Sequence, residues 1–199
     1  EKLSREYWEA YLNLGDRDSA GRPPQTALAF DQDAIVINSF SKYFGMTGWR
    51  LGWCVVPELL VPTIERLAQN FYICPSAVSQ QAALACFTSE SLSICEQRRT
   101  ELMRRRALTL EGLASIGLPV PVPPDGAFYV YFDVRQTGLS SWEFCEAALN
   151  QAHVALTPGK DFGNCGADTY VRLSYAASPS DLHEAIERLG RWMPRRGRG

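Results

Sequence analysis

The first half of the chain alternates short apolar runs with polar segments that contain glycine or proline. Two apolar runs, at 34–39 and 51–56, predict short buried strands. The segment 40–50 between them contains Gly45 and Gly48 and predicts a loop that returns the chain to the same end of a sheet.

Helical periodicity follows these strands. It predicts a helix over 58–70, which Pro57 opens because proline is tolerated in the first helical turn, and a second helix over 77–88. A third predicted helix, over 91–115, carries a basic stripe and ends before Gly117. A helix of this length can join two domains.

The remaining residues mix strand and helix patterns and predict a smaller α+β unit. Ser140 and Glu143 have the spacing of a capping box, which opens a helix to about residue 152. Ser178 opens a last helix to about residue 193. Strands are predicted at 128–132, 153–157 and 169–175.

The ends of the chain are polar. Residues 4–13 predict a helix, 15–26 predict a surface loop, and the basic tail 194–199 is expected to fray. The chain starts at Glu1 rather than at methionine, which fits a processed or truncated start.

Composition limits the class of protein. The 199 residues are 46% hydrophobic and 21% charged, which is typical of a globular protein and excludes disordered or collagen-like chains. No run of apolar residues is long enough to predict a transmembrane helix, so no membrane partner is expected. The net charge of −2 argues against nucleic acid as a partner.

The cysteines and histidines predict no metal site. The six cysteines form no C-x-x-C pair, and we expect free thiols in a reducing, cytoplasmic compartment. His153 and His183 lie far apart and outside any ligand pattern.

The chain has only three lysines, and the residues around Lys42 are those that indicate lysine chemistry. The other lysines are Lys2 and Lys160. Lys42 follows a predicted buried strand, so partial desolvation is expected to favour the neutral amine that Schiff-base chemistry needs. Ser39 and Arg50 are donors suited to a phosphate, and a lysine beside a phosphate clamp is what pyridoxal phosphate requires. On composition alone, a snorkelling lysine and a surface arginine are the simpler interpretation.

The segment Ser39-Phe-Ser-Lys42-Tyr-Phe-Gly-Met-Thr-Gly-Trp-Arg50-Leu-Gly52 resembles the pyridoxal-phosphate lysine motif of class I/II aminotransferases, the aspartate aminotransferase-like group. The resemblance implies that Lys42 binds the cofactor covalently and later moves a proton between the substrate Cα and the cofactor C4′ atom. It also implies that Ser39 and Arg50 bind the cofactor phosphate, with Ser41 in reach of the same phosphate.

Three further segments resemble this family in the order in which the family has them. Pro124-Asp-Gly126-Ala-Phe-Tyr129 is similar to its G-A-F-Y strand, and Thr157-Pro-Gly159-Lys-Asp-Phe162-Gly163 to its P-G-x-x-F-G turn. Read alone, both are ordinary glycine turns. Tyr170-Val-Arg172-Leu-Ser174 resembles the R-L-S strand, which implies that Arg172 binds the substrate α-carboxylate. Strand alternation places Tyr170, Arg172 and Ser174 on one face.

The resemblance implies an α/β fold of two parts. Residues 1–90 would form the end of the fold-type-I large domain, and 91–199 a linking helix with a small α+β C-terminal domain. It further implies a homodimer that transfers an amino group from an amino acid to a 2-oxo acid by ping-pong transamination.

The matched segments correspond to the C-terminal half of that family. The family's pyridine-binding aspartate, its O3′-binding tyrosine and asparagine, its ring-stacking aromatic residue and its first phosphate-binding loop belong to the other half. We therefore expect little transamination from this chain alone.

Three alternatives stay open, the last of which is a degenerate or interaction-only fragment that does not bind the cofactor. A lyase or synthase of the same fold would use the same lysine with a different substrate orientation. A non-catalytic regulator that binds the cofactor as an effector is the second, although such proteins tend to have P-G-L-R where this chain has Thr47-Gly-Trp-Arg50.

Overall fold

A computed structural model describes residues 26–193, so the predictions for 4–13, for most of 15–26 and for the basic tail lie outside the described residues. The chain divides into two units, one ending at Arg99 and the other starting at Thr100. The division falls inside a long helix. The predicted domain boundary between residues 90 and 91 stays a prediction.

The N-terminal unit contains an antiparallel hairpin. Strand β1 (Val36–Ser39) pairs with β2 (Gly52–Val55), and Ser39 lies opposite Gly52. Both strands are shorter than predicted. The predicted burial of the first strand is wrong, because among the described residues β1 pairs only with β2, and Ile37 is left 78% exposed.

Two helices follow the hairpin. Pro57 has an extended ψ of 142°, so it precedes a 3-10 turn (Glu58–Leu60), and helix α1 (Val61–Phe71) starts later than predicted. Helix α2 (Ala77–Ala85) starts at Ser76, whose side chain accepts a hydrogen bond from the Ser79 amide, and it ends earlier than predicted.

The long helix predicted in the middle of the chain is present as α3 (Ser89–Ser115). It ends before Gly117, which adopts a left-handed φ of 85°. Towards its C-terminal half, Arg105 donates to the carbonyl oxygens of Ala176 and Ala177, so its basic stripe is only partly solvated.

The C-terminal unit is built on a three-stranded antiparallel sheet in the order β3-β5-β4, made of β3 (Tyr129–Asp133), β4 (Thr157–Pro158) and β5 (Tyr170–Ser174). Side chains alternate between its faces, as predicted for the third strand. One face is buried and holds Val130, Phe132, Val171 and Leu173. The other face holds Tyr170, Arg172 and Ser174.

The helices of this unit start where the sequence predicts. Ser140 and Glu143 form the capping box that opens α4 (Ser141–Ala147), and Ser178 caps α5 (Pro179–Trp192). The helix expected to reach residue 152 changes instead to a π-helical turn over Ala148–Ala152.

The strand predicted over 153–157 is wrong for residues 153–156, and only Thr157 is extended, as the first residue of β4. His153 adopts a left-handed φ of 58° after the π-helical turn, which no extended strand permits. The apolar run still has a packing role, because Val154 joins Ala148, Ala152 and Leu189 in a buried cluster.

Two general predictions can be compared with the described residues. All six cysteines are free thiols. No helix within 26–193 combines the length and the apolar character that crossing a membrane requires.

Candidate functional site

The loop that carries Lys42 is closed at its base by the hairpin. Beyond the pair Ser39–Gly52, the Phe40 amide donates to the Leu51 carbonyl oxygen at 3.1 Å, and the Met46 amide donates to the Phe40 carbonyl oxygen at 3.2 Å. A Cβ at Gly52 would collide with the Asn38 carbonyl oxygen. Only glycine lets the strands approach this closely, so the last position of the motif has a steric reason.

A chain of hydrogen bonds joins the predicted phosphate ligands. The Ser39 hydroxyl donates to the Ser41 hydroxyl at 2.7 Å and accepts from the Ser41 amide at 3.0 Å. The Thr47 hydroxyl donates to the Ser41 carbonyl oxygen at 2.7 Å, and Arg50 donates through Nη1 to the Thr47 carbonyl oxygen at 3.2 Å. The fold therefore brings Ser39, Ser41 and Arg50 together through Thr47.

Lys42 lies in the turn that follows Ser41. Its carbonyl oxygen accepts from the Gly45 amide at 3.0 Å, and Gly45 needs its left-handed φ of 69° to close this turn. Lys42 is exposed. The desolvation expected of its amine is therefore not supplied by the described residues of this chain.

Aromatic side chains pack against the loop that carries Lys42. Phe40 is buried with Met46, Leu51 and Ala83. The ring of Phe40 lies 5.2 Å from that of Phe44, 4.9 Å from that of Trp53 and 5.9 Å from that of Phe87. These rings anchor the loop, so the Phe40 and Phe44 positions of the motif are structural.

The donor set of the loop fits a phosphate dianion. Two hydroxyls and a guanidinium are held by one hydrogen-bonded turn, and a guanidinium can donate two parallel hydrogen bonds to phosphate oxygens. Within residues 26–193, no carboxylate is hydrogen bonded to Ser39, Ser41, Thr47 or Arg50. The residues present therefore suit the phosphate of pyridoxal phosphate beside a lysine amine.

Arg172 lies in the C-terminal unit, at the centre of β5. It pairs with Tyr131 on β3 and with Thr157 on β4. Its guanidinium carbon lies 4.2 Å from the ring centroid of Tyr129 and 4.4 Å from that of Phe162, and Nη2 lies 3.5 Å from the Thr157 hydroxyl. Aromatic faces attract a cation and leave its in-plane N–H donors available for an anion such as a carboxylate.

The Pro-Gly turn beside Arg172 has little room for a side chain. A Cβ at Gly159 would collide with the Tyr131 hydroxyl and with the carbonyl oxygens of Ala167 and Tyr170. The Tyr131 ring stacks on Tyr170 at 4.9 Å, and burial, followed by the neighbouring Tyr170, raises the pKa of Tyr131. Glycine at this turn therefore lets the tyrosines pack close to the face that carries Arg172.

Sequence reasoning missed the residues that connect or flank these groups. Thr47, Tyr129 and Phe162 stand inside the quoted motifs, yet nothing in their spacing predicts that Thr47 links Ser41 to Arg50 or that two rings enclose Arg172. A polar residue between the loop's two glycines was the available signal. Among residues 26–193, no group of His, Cys, Asp and Glu has the arrangement of a metal site.

Comparison with known proteins extends these observations. The family described as Aminotransferase class I and II matches residues 9–189. A valine–pyruvate aminotransferase of Mycobacterium tuberculosis is 43% identical over 173 residues, which are 86% of this chain and 45% of that protein. An aromatic-amino-acid aminotransferase of Thermococcus litoralis is 42% identical over 156 residues, 78% of this chain and 40% of that protein. The chain thus spans less than half the length of these relatives.

Solved structures agree on the fold. An aminotransferase from Mycobacterium tuberculosis superposes with a TM-score of 0.84 at 40% identity, over 88% of this chain and 46% of the other. An aromatic aminotransferase from Pyrococcus horikoshii gives 0.81 at 36% identity, over 92% of this chain and 49% of the other. The predicted α/β fold of the fold-type-I aminotransferases is confirmed. The family match and these likenesses show that the chain belongs to the class I and II aminotransferases.

Proposed function

We propose that this chain supplies the lysine, part of the phosphate-binding site and the carboxylate-binding arginine of a pyridoxal-phosphate-dependent aminotransferase. The observation that carries the proposal is the hydrogen-bonded loop that gathers Ser39, Ser41 and Arg50 beside Lys42. The same loop would serve a lyase or synthase, but the similarity to named aminotransferases favours transamination.

Ser39, Ser41 and Arg50 hold the cofactor phosphate in this proposal. A hydrogen bond to a charged group contributes about 1.5–3 kcal/mol. Arg50 adds charge and a planar pair of donors, so its loss is expected to weaken binding more than the loss of either serine hydroxyl. Thr47 fixes the loop through its hydroxyl, and we expect a smaller effect when that hydroxyl is removed.

Lys42 supplies the amine. When bound, pyridoxal phosphate supplies an aldehyde that condenses with amines and a ring that withdraws electrons. The role of Lys42 is to hold the cofactor and then to carry a proton between the substrate Cα and the cofactor C4′ atom. Positioned acid–base groups of this kind contribute about 100-fold to 10,000-fold in rate.

Arg172 binds the α-carboxylate of the amino acid and of the 2-oxo acid. Both substrates share this group, so one guanidinium can serve both halves of a ping-pong exchange. Tyr129 and Phe162 restrict the rotation of that guanidinium, which lowers the entropy cost of binding in one orientation.

The remaining parts of the proposal are the substrate class, the assembly and the compartment. The relatives are named for valine and pyruvate and for aromatic amino acids, which supports an amino acid and a 2-oxo acid as substrates. The homodimer is proposed from the resemblance to the family. Six free thiols fit a reducing cytoplasm.

Covalent trapping of the cofactor tests this proposal. The 199-residue chain is incubated with pyridoxal phosphate and reduced with borohydride, and the labelled lysines are mapped by mass spectrometry. We expect the label at Lys42 with little at Lys2 or Lys160. Lys42→Ala should abolish selective labelling, whereas Lys160→Ala, which removes an exposed lysine paired with Asp168, should leave it unchanged.

Two further variants test the phosphate site. Arg50→Ala should raise the pyridoxal phosphate concentration needed for half-maximal labelling by about tenfold or more. Labelling by pyridoxal, which lacks the phosphate, should change little. Equal labelling of all three lysines, or no label at Lys42, would refute the proposed cofactor site.

A further inference from the structure

A hydrogen bond joins the residue after Lys42 to the long helix α3. The Tyr43 hydroxyl donates to Oε1 of Glu96 at 2.6 Å, across 53 residues of sequence. The other carboxylate oxygen of Glu96 accepts from Nε of Arg99 at 2.7 Å. Because both oxygens are engaged, the carboxylate is held facing Tyr43.

The state of Tyr43 suits this role as a donor. Burial, followed by the hydrogen bond to the Glu96 carboxylate, raises the pKa of Tyr43 far above its ordinary value. The phenol therefore keeps its proton to higher pH than an ordinary tyrosine, and the hydrogen bond to Glu96 keeps its donor.

The same stretch of α3 lies beside the turn that begins at Lys42. A Cβ at Gly45 would lie 3.1 Å from Nη1 of Arg98, so the Arg98 side chain reaches this turn. Tyr43 also meets the Phe44 ring edge to face, with centroids 4.9 Å apart. Two consecutive residues after Lys42 are thus fixed, one by a hydrogen bond to α3 and one by the aromatic cluster below the loop.

On the other side of Lys42, the Ser41 carbonyl oxygen accepts from the Thr47 hydroxyl. The backbone of Lys42 is consequently held from both neighbours, by the phosphate-binding loop on one side and by α3 on the other. The first of these belongs to the proposed cofactor site, whereas the second lies outside the set of ligands proposed for phosphate and carboxylate.

We propose that Glu96 is a positioning residue for Lys42: by accepting the Tyr43 hydrogen bond, it sets the direction in which the lysine amine leaves the loop. This inference rests on the proposed function, because it assumes that Lys42 is the residue that reacts with the cofactor. Loss of the hydrogen bond to Glu96 would leave the chain folded and the Lys42 amine present. The amine would, however, no longer point towards the aldehyde of a cofactor whose phosphate is held by the loop.

The test compares two reagents on the same variants. Pyridoxal phosphate with borohydride reports orientation, because the phosphate must be seated while the amine reaches the aldehyde. An N-hydroxysuccinimide acetate ester reports access alone. For each reagent, the labelling of Lys42 is divided by that of Lys160, an exposed lysine of the C-terminal unit.

Tyr43→Phe, which keeps the ring and removes the hydroxyl, and Glu96→Ala should each lower the pyridoxal phosphate ratio by about fivefold or more. The acetylation ratio should change by less than about twofold in both. Glu96→Gln, whose amide oxygen still accepts a hydrogen bond, should restore most of the pyridoxal phosphate ratio. Tyr72→Phe removes the hydroxyl of an exposed tyrosine in the same unit and should change neither ratio.

The outcomes separate the two proposals. If the unaltered chain labels Lys42 selectively and the variants do so equally well, Glu96 does not position Lys42. The same conclusion follows if the two ratios change together, since that pattern reports a loosened fold. If the unaltered chain shows no preference for Lys42, the proposed function itself fails, and this inference fails with it.

Discussion

The two units of the chain bury their apolar side chains to very different extents. In the C-terminal unit the sheet and helices enclose Phe132, Phe144 and Tyr175 completely. The buried cluster below the Lys42 loop contains only four residues. Of the eighteen large hydrophobic side chains that are exposed within 26–193, thirteen lie in the N-terminal unit.

The difference concerns stability and function together. Burial of apolar surface contributes about 25 cal/mol per Å², so the same residue types stabilise the C-terminal unit and leave the N-terminal unit with little gain. The N-terminal unit nevertheless carries Lys42 and the predicted phosphate ligands. The loop that carries Lys42 therefore lies on the unit that buries less apolar surface within the described residues.

Core truncation should give the largest contrast between the units. Phe132→Ala removes a side chain with no exposed surface and should cost about 3–5 kcal/mol of unfolding free energy. Phe71→Ala removes a ring that is 80% exposed in the N-terminal unit and should change stability by less than about 0.5 kcal/mol. Urea unfolding followed by circular dichroism measures both, and equal losses would contradict the comparison.

Hydrogen exchange should show the same contrast without mutation. In the C-terminal unit the Tyr175 amide donates to Phe128 at 2.9 Å, and in the N-terminal unit the Phe40 amide donates to Leu51 at 3.1 Å. Both bonds extend a sheet by one step. We expect the Phe40 amide to exchange about 100-fold faster or more, because its unit opens at lower free energy. Similar protection of the two amides would contradict this prediction. It would show that the four-residue cluster stabilises the hairpin as well as the larger core stabilises the C-terminal sheet.

Two buried thiols allow a chemical version of this experiment. Burial raises the pKa of Cys95, and burial with the nearby Asp161 raises the pKa of Cys145 to about 11. Iodoacetamide needs a thiolate and access, so Cys145 should react about tenfold more slowly than Cys95. The exposed Cys54 and Cys74 serve as references for full reactivity.

The titration of Cys145 also predicts a pH dependence. Its folded pKa lies above the unfolded value of 9.0, so its stabilising contribution is complete below pH 9 and is lost as the pH rises towards 11. Cys145→Ala should flatten this alkaline decline in the stability of the C-terminal unit. If the alkaline decline is unchanged in that variant, other titrating groups cause it.

The smallest expected effect concerns an ion pair at the surface of the C-terminal unit. The Arg135 side chain lowers the pKa of Asp133, so this contribution is present above the unfolded pKa of 3.8 and is lost as the pH falls through the folded value. The Arg135 side chain is 66% exposed, so Asp133→Asn should lower the urea midpoint only slightly near neutral pH. Urea midpoints should show no difference in strong acid.

The parts of the fold that the sequence predicts are those governed by local rules. The capping box at Ser140 and the alternation around Arg172 depend on neighbouring residues, and both occur as predicted. The strand predicted over 153–157 fails at 153–156 because the apolar run there packs beside a left-handed His153. The predicted burial of Ile37 is wrong for a different reason. Burial of a strand depends on residues distant in the sequence that pack over the sheet, and the local pattern does not specify them.

The candidate site divides in the same way. The motif indicates Lys42, Ser39 and Arg50 because their spacing within one loop is local. The contact between Tyr43 and Glu96 joins residues far apart in sequence, and no periodicity indicates it. The two rings around Arg172 likewise come from a strand and a turn that meet only in the folded unit.

Arg50 lies in the left-handed region, with φ of 52° and ψ of 47°, where a side chain other than glycine costs about 1 kcal/mol. Glycine at this position would fold with less strain but would offer no guanidinium. Arginine at position 50 therefore lowers the stability of the folded chain, while its guanidinium serves the proposed phosphate site. Engineering this chain for stability alone would start by replacing the side chain that the proposed cofactor site needs most.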